Sequence, residues 1–281
     1  MLAALAGLTI AACQSKSTPA AIKPSRIFAG PAGLVAAGNP EASGSMWLLA
    51  GTSGERTLQL LDLGSGQLAK PLPESANAVT LAQATSGDVI VGLATATTGA
   101  IEFRGAPNGQ LLSTTPIGAP VRSVAIDPGM TMAYVLNGTL TSASVTVFHW
   151  GDSTPITNLA APADATAIAP SAAGDIVYTA EPSGNIDAIP VRGGPLSHFQ
   201  TGVGARALAV NPNGGYLYVL KGLGAAENIA VVNLATGAVT SVLPAAADSV
   251  GLAISPDGTL LFDVVGDAGL GNVQAITLPT G

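Results

Sequence analysis

The chain has 281 residues, 48% of them hydrophobic and only 10% charged, with a formal net charge of −7. That acidity, with 10 Lys and Arg scattered singly rather than clustered, excludes a reader of the nucleic-acid phosphate backbone. The 35 Gly and 20 Pro interrupt every apolar run before the roughly 18 residues of a spanning helix, so the hydrophobicity belongs to many short strands.

In chain order the first element is an apolar run, Leu2 to Ala12, ending Ile10-Ala11-Ala12 before the single cysteine, Cys13. A small-residue pair before a lone cysteine resembles the lipobox of bacterial lipoproteins. The resemblance implies a signal peptide over 1–12, lipidation of Cys13 and a flexible polar tether over 13–25. No Lys or Arg precedes the run, a departure from the basic start of most export signals. A single cysteine also excludes an intramolecular disulfide and a thiolate metal cluster.

From Gly33 onward the chain repeats. VAIDPGMTMAYVL at Val124 to Leu136, AIAPSAAGDIVYT at Ala167 to Thr179, LAVNPNGGYLYVL at Leu208 to Leu220 and LAISPDGTLLFDV at Leu252 to Val264 share an apolar run, a Pro/Gly turn and a second apolar run. Anchors at Pro40, Ala84, Pro128, Pro170, Pro212 and Pro256 are separated by 44, 44, 42, 42 and 44 residues. That period, with short strands and no 3.6-residue stripe, predicts blades of a β-propeller. In the fifth unit the four strands, A to D, fall at Ala207–Asn211, Tyr216–Lys221, Ile229–Leu234 and Val239–Leu243. Pro sits outside the ladder, and Gly supplies the positive φ of the turns.

The last unit has strands at Leu252–Ser255, Leu260–Val265 and Val273–Leu278 and no fourth, whereas Arg26–Ala29 is one strand surplus to the first unit. Pairing the surplus strand outside the incomplete unit predicts a closed ring without an open edge at the join. The expected fold is therefore all-β: one six-bladed β-propeller of four-stranded antiparallel blades over 26–281, closed by an N-terminal outer strand.

ARALAVNPNGGYLYVL followed by NIAVVNLATG, and VGLAISPDGTLLFDV followed by NVQAITLPTG, resemble the YVTN-type β-propeller repeat. The eponymous tetrad is degraded to YVLN at Tyr134 to Asn137 and YVLK at Tyr218 to Lys221. The resemblance spans Gly33 to Gly281. It implies an extracytoplasmic protein with a binding or scaffold role, while lactonases and quinoproteins occur in the wider propeller class.

Motifs for chemistry are few. There is no G-x-S-x-G, S-x-x-K or P-loop lysine. His149 and His198 fall on outer strands, where they read as solvated. Asp127, Asp257, Asn213, Asp62 and Asn233 sit in turns, where such side chains bond their own backbone. The sequon Asn137-Gly138-Thr139 marks an exposed loop. Counting six residues back from each anchor gives Leu34, Ala78, Arg122, Asp164, Arg206 and Val250, expected to ring the channel mouth. Arg122, Asp164 and Arg206 would come from consecutive blades, either as a ligand-binding trio for a carboxylate or phosphate or as an ion-pair ladder tying the blades. The longest loops, 222–228, 267–272 and 137–144, are expected on the same face.

The sequence thus points to an exported, membrane-tethered binding or protein-interaction module of the cell envelope, periplasmic or on the outer surface. The expected partner is an envelope protein or a small anionic ligand, with no nucleic acid, cofactor or metal, membrane contact through the lipid alone, and a monomeric state. The alternative is a propeller hydrolase or lactonase with a divalent cation at the channel mouth, for which the predicted ring offers one carboxylate where about three oxygen ligands or more are needed.

Overall fold

A computed structural model describes residues 24–41, 44–52, 54–222, 227–266 and 269–279. Cys13 and most of the expected tether lie outside these residues, as do parts of the expected loops at 222–228 and 267–272. Among the described residues no helix is long and apolar enough to cross a membrane.

A first strand, β1 (Arg26–Ala29), precedes five complete blades. These are β2 (Leu34–Ala37), β3 (Ser45–Thr52), β4 (Glu55–Asp62) and β5 (Leu72–Glu74); β6 (Ala78–Gln83), β7 (Val89–Ala94), β8 (Gly99–Gly105) and β9 (Gln110–Ile117); and β10 (Val121–Ile126), β11 (Met132–Thr139), β12 (Ser142–His149) and β13 (Pro155–Ala161). Then come β14 (Ala167–Pro170), β15 (Ile176–Ala180), β16 (Asn185–Pro190) and β17 (Ser197–Gln200); and β18 (Ala207–Val210), β19 (Tyr216–Lys221), β20 (Asn228–Asn233) and β21 (Ala238–Pro244). The sixth blade holds β22 (Ser249–Ile254), β23 (Leu260–Val265) and β24 (Asn272–Thr277). All six sheets are four-stranded, and the sixth has the order β1-β24-β23-β22. The chain is a six-bladed propeller, and its surplus strand completes the incomplete blade.

In the third to sixth blades the inner hairpin is defined by side-chain turn chemistry. Asp127 accepts from the Thr131 and Met132 amides through Oδ1 at 2.9 and 2.6 Å and from the Thr131 hydroxyl through Oδ2. Ser171 and Ser255 take the same place, their hydroxyls accepting from the amides of Ile176 and Leu260 at 3.1 and 2.9 Å. Asn211 accepts from the amide of Asn213. Gly174, Gly214 and Gly258 follow three residues later at φ +69°, +77° and +70°, the left-handed conformation that a side chain disfavours. Asp62 and Asn233 likewise accept from backbone amides of their own turns.

Stability comes from the seams between blades. Six apolar clusters fill the six seams, because the inner three strands of each sheet bury their faces against the neighbouring blades while the outermost strands are largely exposed. Polar ties cross these seams at the turn glycine of the next blade: Tyr134 Oη donates to the Gly174 carbonyl at 2.9 Å, Trp47 Nε1 to the Gly87 carbonyl at 3.2 Å and Asn211 Nδ2 to the Gly258 carbonyl at 3.3 Å. Burial pushes the Tyr134 phenol well above its ordinary range.

The closing seam is sealed twice. At the rim β1 runs antiparallel to β24 with Arg26 opposite Ala275 and Ala29 opposite Asn272. Phe28 enters the cluster of Leu34, Met46, Phe262 and Val264, and the Arg26 guanidinium donates to the carbonyls of Leu63 and Gly64 in the first blade while covering the Phe28 ring at 4.6 Å. On the inner side the Asn39 Oδ1 accepts from the Ile254 amide at 2.8 Å.

The sequon is a correction. Asn137 is not in an exposed loop but lies within β11, 6% exposed. Its amide nitrogen donates to Thr146 Oγ1 and the Val135 carbonyl at 2.7 and 3.1 Å, and its oxygen accepts from the Ser144 hydroxyl. A polar chain continuing to Asn158 occupies the donor that a glycan would need.

Candidate functional site

Strand register defines the channel mouth better than the proline anchors do. On the inner hairpins Ala36 pairs with Leu49, Thr80 with Gly92, Ser123 with Leu136, Ala167 with Ala180, Ala207 with Leu220 and Gly251 with Val264. The residue before each forms the outermost ring: Val35, Val79, Arg122, Thr166, Arg206 and Val250. All six line one cavity of about 170 Å³. In four blades this ring residue sits at a β-bulge, an extra residue that turns its side chain out of the ladder.

Arg122, Arg206 and Val250 thus stand where expected. Asp164 does not: it precedes the ring by two residues, is exposed and does not line the cavity. The cause is a shifted proline. In the other Pro-anchored blades with this turn, the residue whose amide closes it, such as Asp127 or Asn211, precedes Pro; in the fourth blade Ser171 does this job and Pro170 lies before it, inside β14. Leu34 and Ala78 are one residue early and buried, leaving Val35 and Val79 at the mouth. A cue was present in the sequence. Counting back twelve residues from Trp47, Tyr134, Tyr178, Tyr218 and Phe262 gives Val35, Arg122, Thr166, Arg206 and Val250.

Two residues further along each inner strand, Ala37, Leu81, Val124, Ile168, Leu208 and Leu252 form a second ring. They line both the mouth cavity and a cavity of about 100 Å³ on the far side. The channel therefore has an apolar waist. On the far side Gln83 is committed to the backbone of the first blade, accepting from the Trp47 amide at 2.8 Å.

The two arginines of the mouth differ in their partners. Arg122 Nη1 donates to the carbonyls of Ala163 and Ala165 at 2.7 and 2.9 Å, and Nε to that of Gly138 at 3.2 Å. It straddles Asp164 without pairing to it, and among the described residues no carboxylate neutralises it. Arg206 lies 2.7 Å from Glu227 Oε1, with further donation to the carbonyls of Ser249 and Gly222. Glu227 also accepts from the Ser249 amide at 2.9 Å. Beside them Asp263 is 1% exposed, accepts from the Ala246 amide, and is raised above the ordinary carboxyl range chiefly by burial. Glu227 was not singled out by sequence, because its place on a loop outside the repeat pattern carries no periodic signal.

Two other charged groupings lie away from the mouth. Arg104 joins Glu74 of the first blade to Glu102 of its own at 2.9 and 2.7 Å, and burial raises the Glu74 carboxyl. Asp187 on β16 faces Thr179 on one side and His198 on the other. Burial first, then the hydrogen-bonded Glu181 carboxyl, push Asp187 up to about 6; Asp164 acts in the same direction and His198 against it. A folded-state value above the ordinary 3.8 means the native state holds the proton more tightly, so this stability is complete at low pH and is lost as pH rises through about 4 to about 6. The expected result is a melting temperature that declines across that window and declines less in Asp187→Asn, measured by calorimetry in parallel buffers.

His149 and His198 are exposed on outer strands. Among the described residues no three of His, Cys, Asp or Glu are grouped to hold a metal ion.

No protein-family model matches the chain, and no curated protein does. Among solved structures it is similar to a hydrazine synthase chain of Kuenenia stuttgartiensis, with TM-score 0.67 and 14% identity over 88% of this chain and 84% of that one. It is also similar to a putative 6-phosphogluconolactonase of Bacteroides uniformis, with TM-score 0.60 and 17% identity over 87% and 81%. At such identities the likeness establishes the propeller fold alone.

Proposed function

We propose that the protein is an exported binding module of the cell envelope, tethered to a membrane through Cys13, that takes its ligand at the mouth ringed by Arg122, Thr166 and Arg206. The observation that carries this reading is Arg122: a guanidinium held in place by three carbonyls, lining a cavity and lacking a carboxylate partner among the described residues. A charge kept rigid and uncompensated is suited to an incoming anion. The hydrolase or lactonase reading draws on the name of one structural relative, but a cation at the mouth needs converging oxygen ligands and the six-residue ring contains no carboxylate.

Thr166 is exposed in the mouth, so Thr166→Trp fills it with little burden on the core. Small anions detected by thermal-shift screening against the parent should lose binding to this variant by tenfold or more; undiminished binding would remove the mouth from consideration. The anchor is checked separately by palmitate labelling of cells, which should disappear in Cys13→Ala.

A further inference from the structure

We infer that the mouth is built for a small monocarboxylate with a short unbranched apolar tail, its carboxylate on Arg122 and its tail on the waist of the channel. This rests on the mouth being the binding face and adds the ligand's chemical class.

The charge is argued first. Nε and Nη1 of Arg122 are committed to carbonyls, whereas Nη2 takes no partner among the described residues and is not among the buried unpartnered atoms. It presents two N–H donors in a fixed direction. Arg206 shares the cavity but is neutralised by Glu227. One uncompensated positive charge matches one negative charge, and a phosphate dianion would leave a charge unmatched in the mouth.

The polarity is one-sided. Ser123 and Thr166 place hydroxyl-bearing residues beside Arg122 on the third and fourth blades, while the sixth, first and second present Val250, Val35 and Val79 in the ring. Below lies the waist ring, with five larger aliphatic residues and Ala37. Two residues along a strand separate mouth from waist, about 7 Å. A ligand filling this space has a charged end against one wall and an apolar body that reaches the floor within a few carbons. No other polar group descends with it, since the waist offers none.

The test is calorimetric titration of the full chain with acetate, propionate, butyrate, pentanoate, hexanoate and octanoate, alongside the matching alcohols. Affinity should rise about fourfold per methylene, level off once the tail spans the depth to the waist, and be undetectable for the alcohols. Arg122→Gln should abolish binding of every acid. Because that change also removes the carbonyl clamp, Val250→Asp serves as a second variant: Val250 is 38% exposed, and an acid there should weaken pentanoate tenfold or more with the melting temperature unchanged. An affinity independent of chain length, or no acid bound, overturns the inference. Inorganic phosphate binding more tightly than pentanoate, and losing it in Thr166→Trp, overturns the ligand class while the mouth stands. Acid binding that survives both Val250→Asp and Thr166→Trp overturns both.

Discussion

Phe28→Ala should destabilise the whole ring by about 3–5 kcal/mol, the cost of emptying a buried aromatic site, and lower the melting temperature by about 10 °C at the roughly 2–4 °C per kcal/mol of a domain this size. Phe28 is 5% exposed and is the one side chain of β1 that enters the core, whereas its neighbour Ile27 is 61% exposed. Ile27→Ala is therefore the internal control and should shift the transition by less than about 2 °C. Removing Arg26–Ala29 altogether goes further, since it opens the β24 edge, and an unpaired edge templates association. That variant should melt earlier still and form concentration-dependent species by light scattering. Equal melting of Phe28→Ala and the parent would mean that the inner seam, with its Asn39 bond to Ile254, suffices to hold the ring.

Glu227→Ala should be the second large loss, about 3–5 kcal/mol, because breaking a buried ion pair leaves the other charge without compensation. The Glu227 side chain is 5% exposed and that of Arg206 23%. The Ser249 amide loses its acceptor as well, and Asp263 and Arg206 are left adjusting to each other. Replacing both partners, as Arg206→Met with Glu227→Leu, should recover a good part of the loss, since two apolar groups leave no orphaned charge. Chemical denaturation of the two single variants and the double variant gives the coupling directly. A double variant as unstable as the sum of the singles would show that each residue acts through its own backbone contacts and not through the pair.

The architecture was readable because it is periodic. Anchors every 42 to 44 residues and a surplus strand at one end with a gap at the other are properties of counting, and the structure keeps both: in the fifth blade the second strand, Tyr216–Lys221, has the expected bounds. The site was only half readable for a related reason. Arg122 and Arg206 follow the period, but Pro170 sits inside its strand and displaces the count to Asp164, while the true ring residue, Thr166, carries no distinguishing chemistry. Partners lie beyond any period. That Arg122 would spend its donors on Ala163 and Ala165 carbonyls depends on how neighbouring blades meet, and that Arg206 would find Glu227 depends on a loop residue of its own blade that no repeat position predicts. Such contacts join residues up to 43 positions apart and leave no local pattern.

The four-residue β1 has a mechanical meaning. Any pull on the chain N-terminal to Ser25 reaches the body of the protein first through this strand, which is held by its ladder to β24, the Ser25 amide bond to Ala275 and the two carbonyl contacts of Arg26. The strand is thus a fuse. Under load it should detach first, while the five other blades, whose strands are all contributed by uninterrupted stretches of chain, keep their pairing.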